Sequence, residues 1–111
     1  MSEGTTSAEA VAVAGTITKQ LGFHAFLELA VKTKYALHDK LGGVEYHLGG
    51  ASITSGKRVR IVLDYSDTYE IEVYKVGRKG SKSFGEKVNV KCADNVYGED
   101  LASRVRELVF S

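Results

Sequence analysis

Five positive charges crowd one glycine-rich stretch. Lys75, Arg78, Lys79, Lys82 and Lys87 lie in and around GRKGSKSFG, residues 77–85, with Glu86 among them and with Tyr74 and Phe84 bracketing the loop. Cations interleaved with planar rings suit a single strand of nucleic acid, whose phosphates meet the cations and whose bases stack on the rings. Lys57, Arg58 and Arg60, a short distance back along the chain, extend the same charge. The competing reading is a solvated hairpin tip, whose lysines keep a sheet edge from pairing with another chain. The glycines do not make a phosphate-cradling loop, because no lysine and hydroxyl pair opens a helix behind them.

Other chemistry is sparser. His24, His38 and His47, with Asp39, Glu45 and Cys92, are metal-binding residue types, but no pair has zinc-finger or H-E-x-x-H spacing. His38 and His47 would need to face each other across a short hairpin. Cys92 alternates with Val88 and Val90, so it is expected to point inward as a small hydrophobe. Glu70 and Glu72 stand two residues apart with Asp64 across a turn. Such carboxylates can bind a cation or do acid–base work, or simply pair with Arg58 and Arg60 across the strands, which is the favoured reading. No catalytic residue, metal or cofactor is assigned.

The positions of these residues follow from the alternation in RVRIVLDYSDTYEIEVYKV, Arg58 to Val76. Val59, Ile61, Leu63 and Tyr65 share one face of a first arm, and Tyr69, Ile71 and Val73 one face of a second. Period-two patterning of β-branched and aromatic residues predicts a half-buried hairpin, with Ser66, Asp67 and Thr68 as turn. Such a ribbon is marginal alone and requires a cover.

The rest of the chain supplies one. Residues 1–6 are small and polar and are expected to fray. Ser7 can cap a first helix with the stripe Ala10, Val13, Ala14, Ile17 and Leu21. Gly22 suits its C-cap, and Phe23, Phe26, Leu27 and Ala30 predict a second helix over Phe23 to Val31. Two short strands follow, Lys34 to Asp39 and Val44 to Leu48, with a turn at Gly42 and Gly43. Val88 to Cys92 reads as a last strand. Asp94 or Asn95 can cap a final helix with the stripe Tyr97, Leu101, Val105 and Leu108. The expected fold is a single α+β domain over residues 7–111: two N-terminal helices, about five mostly antiparallel strands in a meander, and a C-terminal helix, with helices packed on one face of the sheet.

The bulk numbers narrow the setting. The chain has 111 residues, one cysteine and no proline. No apolar run reaches the ~20 residues of a membrane helix, no disulfide framework is possible, and MSEGTTSAEA lacks the basic start of a signal peptide. A cytoplasmic location is expected. The net charge of +1 is uneven: residues 57–91 carry nine basic and five acidic side chains, whereas residues 1–31 and 92–111 are each acidic by two.

Three stretches, LGFHAF at the start of Leu21 to Leu29, DTYEIEVYK (Asp67 to Lys75) and VYGEDL (Val96 to Leu101), resemble a group of small proteins encoded by tailed phages and prophages. In that group a leucine-glycine break precedes an aromatic-rich stretch, followed by a D-T-Y-[DE]-x-E strand and a V-Y-x-[DE]-x-L helix start. The resemblance runs from about Thr16 onward. Phe23 and Val31 stand where the group has small residues, and the final helix is shorter. The resemblance implies an α+β fold and a phage-like setting, hence the host cytoplasm. It implies no catalytic residue, and the group has no settled biochemical role.

Two functions compete. One is a non-enzymatic protein that binds single-stranded nucleic acid through the basic residues above. The other is a protein-binding module that inhibits a host or defence protein. A homodimer through an open sheet edge at Val88 to Cys92, or at the strands from Lys34, is compatible with either.

Overall fold

The computed structural model describes residues 7–50, 54–77, 80, 82 and 84–110. The expectation of a frayed 1–6 segment lies outside them. Two helices, α1 (Ser7–Leu21) and α2 (Phe23–Glu28), precede strands β1 (Val31–Leu37), β2 (Gly43–Leu48), β3 (Lys57–Leu63), β4 (Tyr69–Val76) and β5 (Lys87–Val96). A 3-10 turn at Gly98–Asp100 then leads into α3 (Leu101–Phe110). The strands form one antiparallel sheet in the order β1-β2-β3-β4-β5, with β1 and β5 at its edges. The fold is α+β.

The central hairpin pairs Val59 with Val73 and Ile61 with Ile71. Val44 and Tyr46 of β2 stand opposite Ile61 and Val59, so these side chains share one sheet face. All of them are buried, in one cluster with Ala14, Ile17 and Leu21 of α1 and Leu101, Val105 and Val109 of α3. Tyr46 is fully buried because its one polar atom has a partner: the hydroxyl lies 2.8 Å from Thr18 Oγ1. Phe26 meets the same ring edge-on at a centroid distance of 5.7 Å. Between β3 and β4, Asp64 N–H donates to the Thr68 carbonyl at 2.8 Å, and Asp67 takes a φ of 67°, a left-handed conformation that aspartate tolerates. Tyr65 belongs to this turn and is exposed, so it does not extend the apolar face of β3.

Gly43 marks a close approach of β2 to β3. A Cβ there would overlap the Ile61 carbonyl oxygen, so only glycine lets the two strands pair at that point.

Several elements differ from the sequence reading. The second helix has six residues, not nine, because Ala30 enters the left-handed region at φ 54° and turns the chain into β1 at Val31. Its buried side chains are Ala25 and, just beyond its end, Leu29, so Phe23 and Leu27 face outward. Asp94 and Asn95 do not cap α3. Both lie within β5, and the inward stripe of α3 is Leu101, Val105 and Val109, with Tyr97 exposed.

β5 holds the largest departure. From Val73 to Lys75, two steps of β4 match three of β5, Lys91 to Val88, and Asn89 lies between them at φ 54°. The same mismatch recurs from Ala93 to Val96 around Asn95 at φ 53°. Each extra residue is a β-bulge, and a bulge reverses the facing of the residues beyond it. Lys91 and Ala93 therefore share the face of Val73 and Ile71, while Cys92 stands opposite Glu72 and is exposed. The inward cysteine expected from simple alternation is corrected.

Val105 is fully buried at the centre of the α3 stripe. Val105→Ala should lower stability by about 1–3 kcal/mol through lost burial and a residual cavity. A urea melt checks this, with an unchanged midpoint counting against the packing.

Candidate nucleic-acid interface

Strand order sorts the charges by end. Lys57 is paired with Lys75, Arg58 with Tyr74, Lys75 with Val88 and Val76 with Lys87, all at the end of the sheet where β4 ends and β5 begins. At the other end the β1–β2 and β3–β4 turns bring Asp39, Lys40, Asp64 and Asp67 near Glu70. The basic residues near the centre of the sequence thus gather at one end of the sheet, away from most of its carboxylates.

The two faces of the sheet differ. On the face opposite the core, the cations are engaged. Arg60 is ion-paired with Asp39. Lys87 contacts Glu72 at 2.6 Å and sits 4.7 Å from the centroid of the Tyr74 ring. Lys40 joins Asp64 at 2.8 Å and also Glu70. The Tyr74 hydroxyl donates to Glu45 at 2.5 Å, and Glu45 also lies 3.1 Å from His47 Nε2. Burial and the Glu45 carboxylate push the Tyr74 phenol up to about 12, against a pull from Arg58. Burial raises the Glu45 carboxyl, but the hydrogen bonds from Tyr74 and His47 outweigh it and hold its pKa below the ordinary value. Tyr74 itself is buried, so its ring is a structural member of this network and not an exposed stacking platform. Glu70 and Glu72 pair with Lys40 and Lys87, not with Arg58 and Arg60 as expected.

On the core side, Lys57, Lys75 and Lys91 line a pocket of about 360 Å³ that Leu108 of α3 also borders. Its described lining includes no carboxylate. Lys57 donates to the Val109 carbonyl in the last turn of α3, where a cation complements the exposed carbonyls and the negative end of the helix. Burial first, then Lys91 and Lys75, lowers the Lys57 pKa. Directly opposed like charges such as Lys57 and Lys75 oppose strand pairing.

In the loop, Lys82 and Phe84 are exposed, and Gly77 bridges to Phe84. Arg78 and Lys79 lie outside the described residues. Of the ten sequence candidates, the sheet therefore directs Lys57 and Lys75 to the core side and Arg58, Arg60, Tyr74 and Lys87 to the other. Lys91 was missed. A strict alternation turned it outward, and the signal that could have found it is Asn89, a residue that favours left-handed bulge positions.

His38 and His47 do not meet, since His47 is opposite Thr33 and His38 lies beyond the end of β1. Among the described residues no group of three or more His, Cys, Asp or Glu side chains is arranged to hold a metal ion, and no helix is long and apolar enough to cross a membrane. Comparison with models of known protein families, with curated proteins and with solved structures finds no match.

The Asp64 carboxyl is held well below the usual range by Lys40 first and Ser66 second. A carboxyl with a depressed folded pKa stabilises the fold above its unfolded value, 3.8 here, and that contribution is lost as pH falls through the folded value. Asp64→Asn should therefore flatten part of the acid limb of a plot of urea midpoint against pH, below about pH 5. An unaltered acid limb would mean that the Lys40 contact does not form in solution.

Proposed function

We propose that this chain is a non-enzymatic binding protein of phage type that holds single-stranded nucleic acid at the basic end of its sheet. The observation that carries the reading is the gathering of Lys57, Lys75 and Lys91 around one pocket beside the loop that bears Lys82 and Phe84. Phosphates would lie on the lysines, and an unpaired base would stack on Phe84, 61% exposed. Arg60, Lys87 and Lys40 contribute less, because their charges are already met by carboxylates. Arg78 and Lys79 belong to the same interface by sequence position.

A second reading, a module that docks on and inhibits a host or defence protein, is favoured by Phe23 and Leu27. They stand four residues apart on α2 at 74% and 60% exposure, and adjacent exposed apolar side chains on a helix are a protein-recognition feature.

A salt series on oligonucleotide binding separates the two. Neutralising about four phosphates on a single strand gives a slope of log affinity against log salt of about −3, through counterion release. Phe84→Ala should weaken single-strand binding more than duplex binding. Absence of oligonucleotide binding at low salt would remove the nucleic-acid reading in favour of the protein partner.

A further inference from the structure

The sheet ends at β5, and among the described residues no strand is paired to its outer edge. An edge strand presents a row of unpaired N–H and C=O groups that another strand can take up. Here the open stretch is bounded, because the left-handed bulge residues Asn89 and Asn95 delimit Val90 to Asp94. Within it Val90, Lys91, Cys92 and Asp94 are exposed and Ala93 is half-buried. The other edge strand, β1, suits a second copy less well, since Lys32 and Lys34 lie near its middle. A two-fold axis at Thr33 or Lys34 would set lysine against lysine, and like charges directly opposed destabilise a strand pair.

We infer that β5 pairs antiparallel with β5 of a second copy of this chain, about a two-fold axis at Cys92, so that the two sheets become one. A two-fold normal to the sheet leaves every side chain on its own face, so a residue stands opposite only one of the same parity. The axis must then pass through a residue. At Cys92 it sets Cys92 against the partner's Cys92, Val90 against the partner's Asp94 and Lys91 against the partner's Ala93, with no like charges directly opposed. Cys92 also lies midway between Asn89 and Asn95, so each Asn89 bulge faces the partner's Asn95 bulge. One extra residue on each side keeps the count across the ladder equal, and the bent ends turn together. A strand of unrelated sequence has no such match. An axis at Lys91 would set lysine against itself, and an axis at Ala93 would put the bulges out of step. The ladder is short, so the association belongs to the weak class of interfaces, with a dissociation constant on the order of 10–100 µM. This inference is independent of the nucleic-acid reading and needs no ligand.

Sedimentation velocity of the full chain from about 5 to about 500 µM tests this, with a reducing agent present so that no disulfide forms. The wild-type protein should shift from monomer to dimer across that range. Cys92→Lys places lysine against lysine at the axis and should weaken the dimer about fivefold or more. Thr33→Lys, an exposed change on the β1 edge, should leave it intact. Circular dichroism establishes that each variant is folded. Amide hydrogen exchange of the wild type needs no variant: exchange within Val90 to Asp94 should slow as protein concentration rises, while that of β1 stays unchanged. A monomer throughout the range overturns the inference. So does a dimer that survives Cys92→Lys at full strength, one that dissociates in Thr33→Lys, or one that forms with unchanged exchange in β5.

Discussion

Burial of one sheet face is the constraint on which the structure depends. Val44, Tyr46, Val59, Ile61, Ile71 and Val73 cannot be left in water, and Ile17 of α1 and Val105 of α3 join the same cluster. Apolar burial is worth roughly 25 cal/mol per Å², so this cluster fixes the register of the strands far more firmly than any surface ion pair, worth about 0–1 kcal/mol. Register in turn decides the face to which each charged residue is assigned. A slip of one residue would carry every core side chain to the solvent face, and would send Lys57 and Lys75 across with them. The interface is thus a by-product of the core: the same alternation that hides Ile61 and Val73 aims Lys57 and Lys75 toward α3.

The network on the other face shows how that assignment spends its charges. Asp39 and Lys40 come from the β1–β2 turn, Asp64 from the β3–β4 turn and Lys87 from the start of β5, yet each finds an opposite charge on a neighbouring element. Glu45 accepts from buried Tyr74, which links β2 to β4 over the intervening β3. Such pairing leaves that face with mixed charge and little net field. On the core side Lys57, Lys75 and Lys91 lie near one another, and Lys57 donates to the Val109 carbonyl.

Much of this was legible in the sequence. The hairpin from Arg58 to Val76, the glycine break at Gly22 and the meander followed from period-two and helical patterns, because local alternation and glycine conformations are set by the residues themselves. The facing of β5 was not legible. Asn89 and Asn95 each add one residue to the strand, and a bulge depends on the partner across the ladder, which one strand alone does not reveal. The same holds for α2. Phe23 and Leu27 carry large apolar side chains and face outward, while the inward face belongs to Ala25, Phe26 and Leu29, since the left-handed turn at Ala30 leaves only a short helix with a fixed rotation. The candidate residues were legible as a list, but their division between two faces required the partners.

The central claim is that binding belongs to the core-side lysines and the loop, and not to the ion-paired face. Backbone amide chemical-shift mapping during titration with a short single-stranded oligonucleotide tests it most directly. Perturbations are expected to gather at Lys57, Lys75, Lys91, Lys82 and Phe84, while Asp39, Arg60, Asp64 and Glu70 stay in place. Perturbations centred on Arg60 and Glu70, or on Phe23 and Leu27 of α2, would contradict it.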